Sequence, residues 1–198
     1  MMDKQEKHKK KSQKLKEKVD ASIAKATEER GIVLLITGNG KGKSTAGFGT
    51  VTRCVGHGYK AAVAQFIKGT WDCGERNLLE KHGVSFAVMA TGFTWETQDR
   101  EADIEAANKV WQEAKKYLAD PSIHLVLLDE LTYMLGYQYL DEEEVINSIQ
   151  SRPPEQTVVI TGRGAIASLR DIADTVSEIK EIKHAYKAGV MARKGVDW

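Results

Sequence analysis

The chain has 198 residues, 41% hydrophobic and 29% charged, with a formal net charge of +1. That length supports one domain with a sizeable core, and no run of about 18 uncharged apolar residues is present to cross a membrane. Cys54 and Cys73 make neither a metal-ligand spacing nor a disulfide framework, so they read as two reduced thiols of a cytoplasmic protein.

The charge is unevenly spread. Residues 1–30 hold ten Lys and Arg against six Asp and Glu, whereas the remainder holds 19 against 22. A basic arm can grip nucleic acid, but acids interrupt these lysines and no aromatics interleave them for base stacking. Nucleic acid is therefore not expected as a partner. The arm also lacks an apolar segment behind its lysines, which argues against a secretory signal. Its first part, "MMDKQEKHKKK", is too polar to order itself and reads as a frayed terminus. From Leu15 to about Arg30, the residues Leu15, Val19, Ile23 and Ala26 fall at helical spacing. Such a narrow stripe makes a helix that needs a surface to lie on. Residues 1–30 are thus set apart as a basic tail and helix, and 31–198 as the main domain.

After Arg30, strand and helix patterns alternate. Apolar, β-branched-rich runs occur at Ile32–Thr37, Ala61–Ile67, Val84–Met89, Leu125–Leu128, Thr157–Ile160 and Thr175–Ile182. Four of them, "IVLLIT", "AAVAQFI", "LVLL" and "TVVIT", are nearly continuously apolar, as strands covered on both faces are. The last, "TVSEIKEIKH", alternates with charge and reads as an edge strand. Between them, Ile104, Ala107, Trp111, Ala114 and Leu118 mark a helix ended by Pro121, and Asp141–Gln150 marks another with an acidic start. The expectation is an α/β fold with a doubly wound, mainly parallel six-stranded sheet and an N-terminal helical extension.

The first strand runs into "TGNGKGKST", ahead of a helical "AGFGTVTRCVG". Strand, glycine loop, lysine, hydroxyl and helix in that order form a phosphate-binding loop. Gly38, Gly40 and Gly42 let backbone N–H groups converge on one anion, and the helix start adds partial positive charge. Lys43 supplies a full charge to the phosphates, the Ser44 hydroxyl can ligate Mg²⁺, and Lys41 is a second cation. Asn39 and Thr45 complete the loop. The standard pattern G-x-x-x-x-G-K-[ST] wants a glycine where Thr37 stands, so the loop is one residue short.

Two further features point to the same end of the sheet. "HLVLLDEL" is an apolar strand ending in Asp129-Glu130, where a metal-facing carboxylate belongs beside such a loop. "MATGFTWET" puts Phe93 and Trp95 in a loop past the third strand, either as a flat wall for a planar ligand or as ordinary packing. Arg163, in "TGRG", ends the fifth strand within reach of phosphate in principle. Tyr133 either lines the site or packs. His57, His82, His124 and His184 share no metal-binding spacing. No "NKxD"-like base-reading motif marks a GTPase.

Taken together, "TGNGKGKST", "VGHG", "AQFIKGTW", "GERNLLEKHGV", "MATGFTW", "VLLDELTY", "ITGRG" and "KHAYKAGV" resemble the ATP:corrinoid adenosyltransferases of the bacterial P-loop type, with a RecA-like core, from about Lys18 to Trp198. In that family the loop is similarly one residue short. The resemblance implies transfer of the 5′-deoxyadenosyl group of ATP to the Co(I) ion of a corrinoid, giving adenosylcobalamin or adenosylcobinamide and releasing triphosphate. It implies ATP bound in reverse, with the γ-phosphate where the α-phosphate usually lies. It assigns Lys41, Lys43, Phe93 and Trp95 to catalysis, the aromatics packing on the corrinoid and displacing its lower axial ligand so that Co(II) can be reduced by a flavoprotein. It also implies a homodimer in which the N-terminal helix covers an active site; the loop hydroxyl and the strand-end acids themselves point to Mg²⁺ held by Ser44 with Asp129 or Glu130. Two other readings stay open on the loop alone: a conventional P-loop ATPase or kinase, yielding ADP, and a non-catalytic nucleotide-responsive binding protein.

Overall fold

A computed structural model describes residues 4–67, 72–89 and 99–198 of the chain. Six strands form where the apolar runs lie: β1 (Val33–Thr37), β2 (Ala61–Gln65), β3 (Ser85–Val88), β4 (Leu125–Asp129), β5 (Thr157–Thr161) and β6 (Thr175–Glu178). They make one sheet in the order β3-β2-β4-β5-β1-β6, and every neighbouring pair is parallel. The sheet is doubly wound, so the carboxyl ends of all six strands lie along one edge, where such folds bind ligands.

The continuous apolar runs have a direct cause. On β4, Val126 and Leu128 enter one core cluster with Trp111, Leu118 and Ile149, while Leu125 and Leu127 enter the other with Phe48, Val51 and Cys54. Each residue of β4 is therefore buried whichever way it points. β6 differs: all four of its residues are exposed, and it pairs on one side only, with β1. Its charge alternation suits that edge position.

Among the described residues, six helices of the main domain flank the sheet: α2 (Lys43–Gly56), α3 (Gly74–Leu79), α4 (Arg100–Ala119), α5 (Leu131–Gly136), α6 (Glu142–Gln150) and α7 (Ala167–Asp171). α4 starts at Asp99, whose carboxylate accepts the Ala102 amide at 3.1 Å, and α6 starts at Asp141, which accepts the Glu144 amide at 2.7 Å. α4 buries Ala107, Val110, Trp111, Ala114 and Leu118, one face of a 3.6-residue period.

The N-terminal helix departs from expectation. α1 spans Lys4–Ile23, starting well inside the segment read as frayed and stopping before Arg30, and none of its residues is buried. Lys, Glu and Gln are good helix formers, so intrinsic propensity extends the helix into the polar tail. Leu15, Val19 and Ile23 remain exposed on it. Arg30 closes the segment against the domain through Asp174, 2.6 Å away.

Candidate nucleotide site at the carboxyl edge

Thr37 ends β1 and is buried, and the chain turns at Gly38 with φ 100°. This is the left-handed region that glycine reaches freely. A Cβ on Gly38 would sit 2.4 Å from the Ile179 carbonyl oxygen, and one on Gly40 would sit 2.8 Å from that of Lys180. The continuation of β6 thus presses directly on the loop, and Gly38 fills the role of the displaced first glycine. The contact is bonded: the Gly40 amide donates to Ile179 O at 2.8 Å, and the Ile179 amide donates to Thr37 O at 2.8 Å. The Gly40 amide therefore faces the β6 continuation rather than a free anion site.

α2 begins at Lys43, whose ammonium donates to the Gly40 carbonyl at 2.8 Å. The side chain folds back over the loop and is buried, so burial pushes its pKa down, the nearby Glu130 raises it, Arg163 lowers it and Asp129 raises it. A phosphate arriving here would meet a cation with little water around it, which strengthens their attraction.

The two acids at the end of β4 are held quite differently. Asp129 is fully buried, its Oδ1 accepting the Thr161 hydroxyl at 2.7 Å and its Oδ2 accepting Gln65 Nε2 at 3.2 Å. Glu130 sits at φ 62°, a strained conformation for a residue with a side chain, at the start of α5. Its amide donates to Thr161 Oγ1 at 2.9 Å. Gly162 makes room for this turn, since a Cβ there would lie 2.0 Å from Thr132 Oγ1 and 3.3 Å from Glu130 Oε2. Thr132 in turn donates to the Arg163 carbonyl at 2.6 Å, fixing the residue after Gly162.

These elements enclose a cavity of about 590 Å³. Gly40, Lys41, Gly42, Lys43, Ser44 and Thr45 form its floor, and Glu130 and Arg163 stand on its wall. Gly38 and Asn39 lie outside it, Asn39 bordering a shallow depression with Glu178 and Lys180. Asp129 lies behind Glu130 and does not reach the surface of the cavity. Phe93 and Trp95 fall outside the described residues. Tyr133 packs against the core beside Tyr137 and does not line the cavity. Among the described residues no three His, Cys, Asp or Glu are grouped to hold a metal by themselves.

The cavity has walls that sequence reasoning did not identify. Gly74, Glu75 and Leu78 of α3 line one side, and His184 with Gly195, Val196, Asp197 and Trp198 line another. Lys41 is paired there with Asp197 at 2.6 Å. Nothing in "KGVDW" marks it as a site segment, because its placement depends on a long-range return of the chain. Lys194 adds to that return by pairing with Asp72 at 3.4 Å.

Residues 29–198 match the family model described as ATP:corrinoid adenosyltransferase BtuR/CobO/CobP. The chain is 60% identical to the corrinoid adenosyltransferase of Escherichia coli (strain K12) over 193 residues, covering 98% of each protein. It is 60% identical, with the same coverage, to the corrinoid adenosyltransferase of Salmonella typhimurium (strain LT2). The corrinoid adenosyltransferase of Pseudomonas aeruginosa (strain PAO1) is 48% identical over 198 residues, covering 99% of this chain and 98% of that protein.

Proposed function

The chain belongs to the ATP:corrinoid adenosyltransferase family, and from that premise we propose how its residues divide the work. The enzyme transfers the adenosyl group of ATP to the cobalt of a reduced corrinoid. The Co(I) ion is the nucleophile: its electron pair forms the Co–C5′ bond as the C5′–O bond to the triphosphate breaks, and the pair from that bond leaves with triphosphate. No protein nucleophile or general base is needed. What remains for the protein is to place C5′ before the cobalt and to stabilise the charge that accumulates on the leaving group.

The observation that carries the site assignment is the buried Lys43 ammonium on the floor of the cavity, beside Lys41 and the start of α2. This concentration of positive charge suits a triphosphate, and Arg163 on the wall extends it. The donor set also fits Mg²⁺, a hard cation that takes few protein oxygens and keeps water and phosphate as its other ligands. Ser44 and Glu130 would hold it, both being on the cavity surface, while Asp129 is spent on Thr161 and Gln65, and Thr161 positions Glu130 through its amide. Bound Mg²⁺ would neutralise part of the triphosphate charge. Phe93 and Trp95 belong to the corrinoid side, displacing its lower axial ligand so that a flavoprotein can reduce Co(II). The N-terminal helix belongs over an active site in a homodimer, and its exposed Leu15, Val19 and Ile23 supply an apolar stripe for that purpose. No helix among the described residues is long and apolar enough to cross a membrane, in keeping with a cytoplasmic setting.

The test is Lys43→Ala assayed with chemically supplied Co(I) corrinoid, which isolates transfer from reduction. Adenosylation falls below measurement if Lys43 holds the triphosphate; turnover near that of the unaltered enzyme removes it from the site.

A further inference from the structure

The segment after His184 adds no strand to the sheet, yet it returns to the mouth of the cavity and is held there as a turn of its own. The Arg193 amide donates to Asp197 Oδ2 at 2.7 Å, the Asp197 amide donates back to the Arg193 carbonyl at 2.8 Å, and the Gly195 amide donates to the Trp198 carbonyl at 2.8 Å. This leaves Asp197 Oδ1 for Lys41, whose ammonium lies 2.6 Å away. Asp197 and Trp198 both form part of the cavity wall.

An anion has thus been placed on one of the two loop cations that a triphosphate would need. The position is awkward for a purely structural ion pair. Lys41 sits on a loop already fixed by the β6 continuation, and the pair is partly open to solvent, with side-chain exposures of 46% and 26%, so it adds little to stability. It does, however, compete directly with phosphate oxygens for the same ammonium.

We propose that Asp197 is a built-in counter-ion gate: it occupies Lys41 while the cavity is free of nucleotide, yields it to a triphosphate oxygen on binding, and reclaims it as the triphosphate product leaves. This inference rests on the assignment of the cavity to ATP. The exchange makes and breaks only ionic contacts. A site whose competent form must first release an internal anion binds nucleotide more weakly than its contacts would allow. The same competition shortens the stay of a product that carries all of the phosphate charge of the substrate. Trp198, on the same turn, moves with the gate.

The test uses the full chain and calorimetric titration with MgATP and, separately, inorganic triphosphate. Asp197→Asn keeps the shape of the side chain and an oxygen to accept the Arg193 amide, so the turn persists without the charge. Both ligands should bind about fivefold more tightly, the size of effect expected from a partly exposed ion pair removed as competitor. Glu105→Gln serves as the charge control, because Glu105 pairs with Lys109 along α4 at 2.7 Å and lies off the cavity wall. Its effect should stay below about twofold on the same basis. Unchanged or weaker binding by Asp197→Asn overturns the gate, as does equal tightening in Glu105→Gln. Failure of the unaltered protein to bind either ligand overturns the cavity assignment instead, so the two failures are distinct.

Discussion

Thr161 donates its hydroxyl to Asp129 Oδ1 at 2.7 Å, and that contact separates the tasks of two adjacent acids. The same hydroxyl oxygen accepts the Glu130 amide at 2.9 Å. One side chain at the end of β5 therefore anchors the buried acid and sets the turn that brings the next acid to the cavity.

Thr161→Val deletes that hydroxyl in a site from which water is excluded. A buried carboxylate losing a donor costs about 2–3 kcal/mol, which in a chain of this size lowers Tm by about 5–10 °C. Thr161→Ser should restore most of the loss, and thermal unfolding of the three proteins side by side gives the answer. A Tm within about 1 °C of the unaltered protein would mean the contact is not energetically linked to the fold.

Gly38→Ala and Gly42→Ala should differ although both residues have positive φ, 100° and 115°. A Cβ at Gly42 meets only Ile179 Cδ1, at 3.9 Å, so its penalty is the left-handed backbone alone, about 1–2 kcal/mol. At Gly38 the new atom also strikes the Ile179 carbonyl at 2.4 Å, and the β6 continuation has to retreat from the loop. Denaturant titration should rank Gly38→Ala as the more destabilised. Equal losses would show that β6 does not brace the loop.

Stability should depend on pH through Asp174. Its carboxylate accepts Arg30 Nη2 at 2.6 Å and the Val33 amide at 2.8 Å, and these contacts hold its pKa at about 2, below the ordinary 3.8. A carboxyl whose pKa is depressed on folding stabilises above the unfolded value and loses that contribution as pH falls through the folded one. The effect is full above about pH 4 and disappears toward pH 2. Urea midpoints for Asp174→Asn should be lower than those of the unaltered chain above that window and converge with them below it. A constant gap across the window would contradict the assignment.

Removing residues 1–23 takes away α1, none of whose residues is buried. The remaining domain should unfold within about 2 °C of the full chain, because no core contact is lost. Corrinoid retention should weaken. Unaltered corrinoid kinetics would discard the covering role of the helix.

Much of this architecture is legible in the sequence, for reasons that α1 and the 193–198 turn also expose. The inner strands announce themselves because the middle of the sheet is covered on both faces, so "LVLL" and "TVVIT" need no alternation, while β6 shows itself by alternating with charge at the exposed edge. The order β3-β2-β4-β5-β1-β6 does not, since it depends on which crossovers pack and leaves no local trace. The apolar residues of α1 start only at Leu15 and predict a helix from there, but backbone propensity in a Lys- and Glu-rich stretch carries the helix back to Lys4. In the site, Lys43 and Ser44 follow from the loop pattern. The unequal burial of Asp129 and Glu130 does not, because it is set by Thr161 and Gln65, 32 and 64 residues away. Asp197 on Lys41 is further still from any local signal: the two residues meet only through the return of the chain past β6.

The most direct measurement is anaerobic. Purified protein, MgATP and chemically reduced Co(I) corrinoid are followed by visible spectroscopy while the released phosphates are identified. An adenosyltransferase gives a light-sensitive Co–C product and one equivalent of triphosphate for each corrinoid converted. ADP and phosphate, with the corrinoid unaltered, would contradict adenosyl transfer and leave a phosphate-loop ATPase.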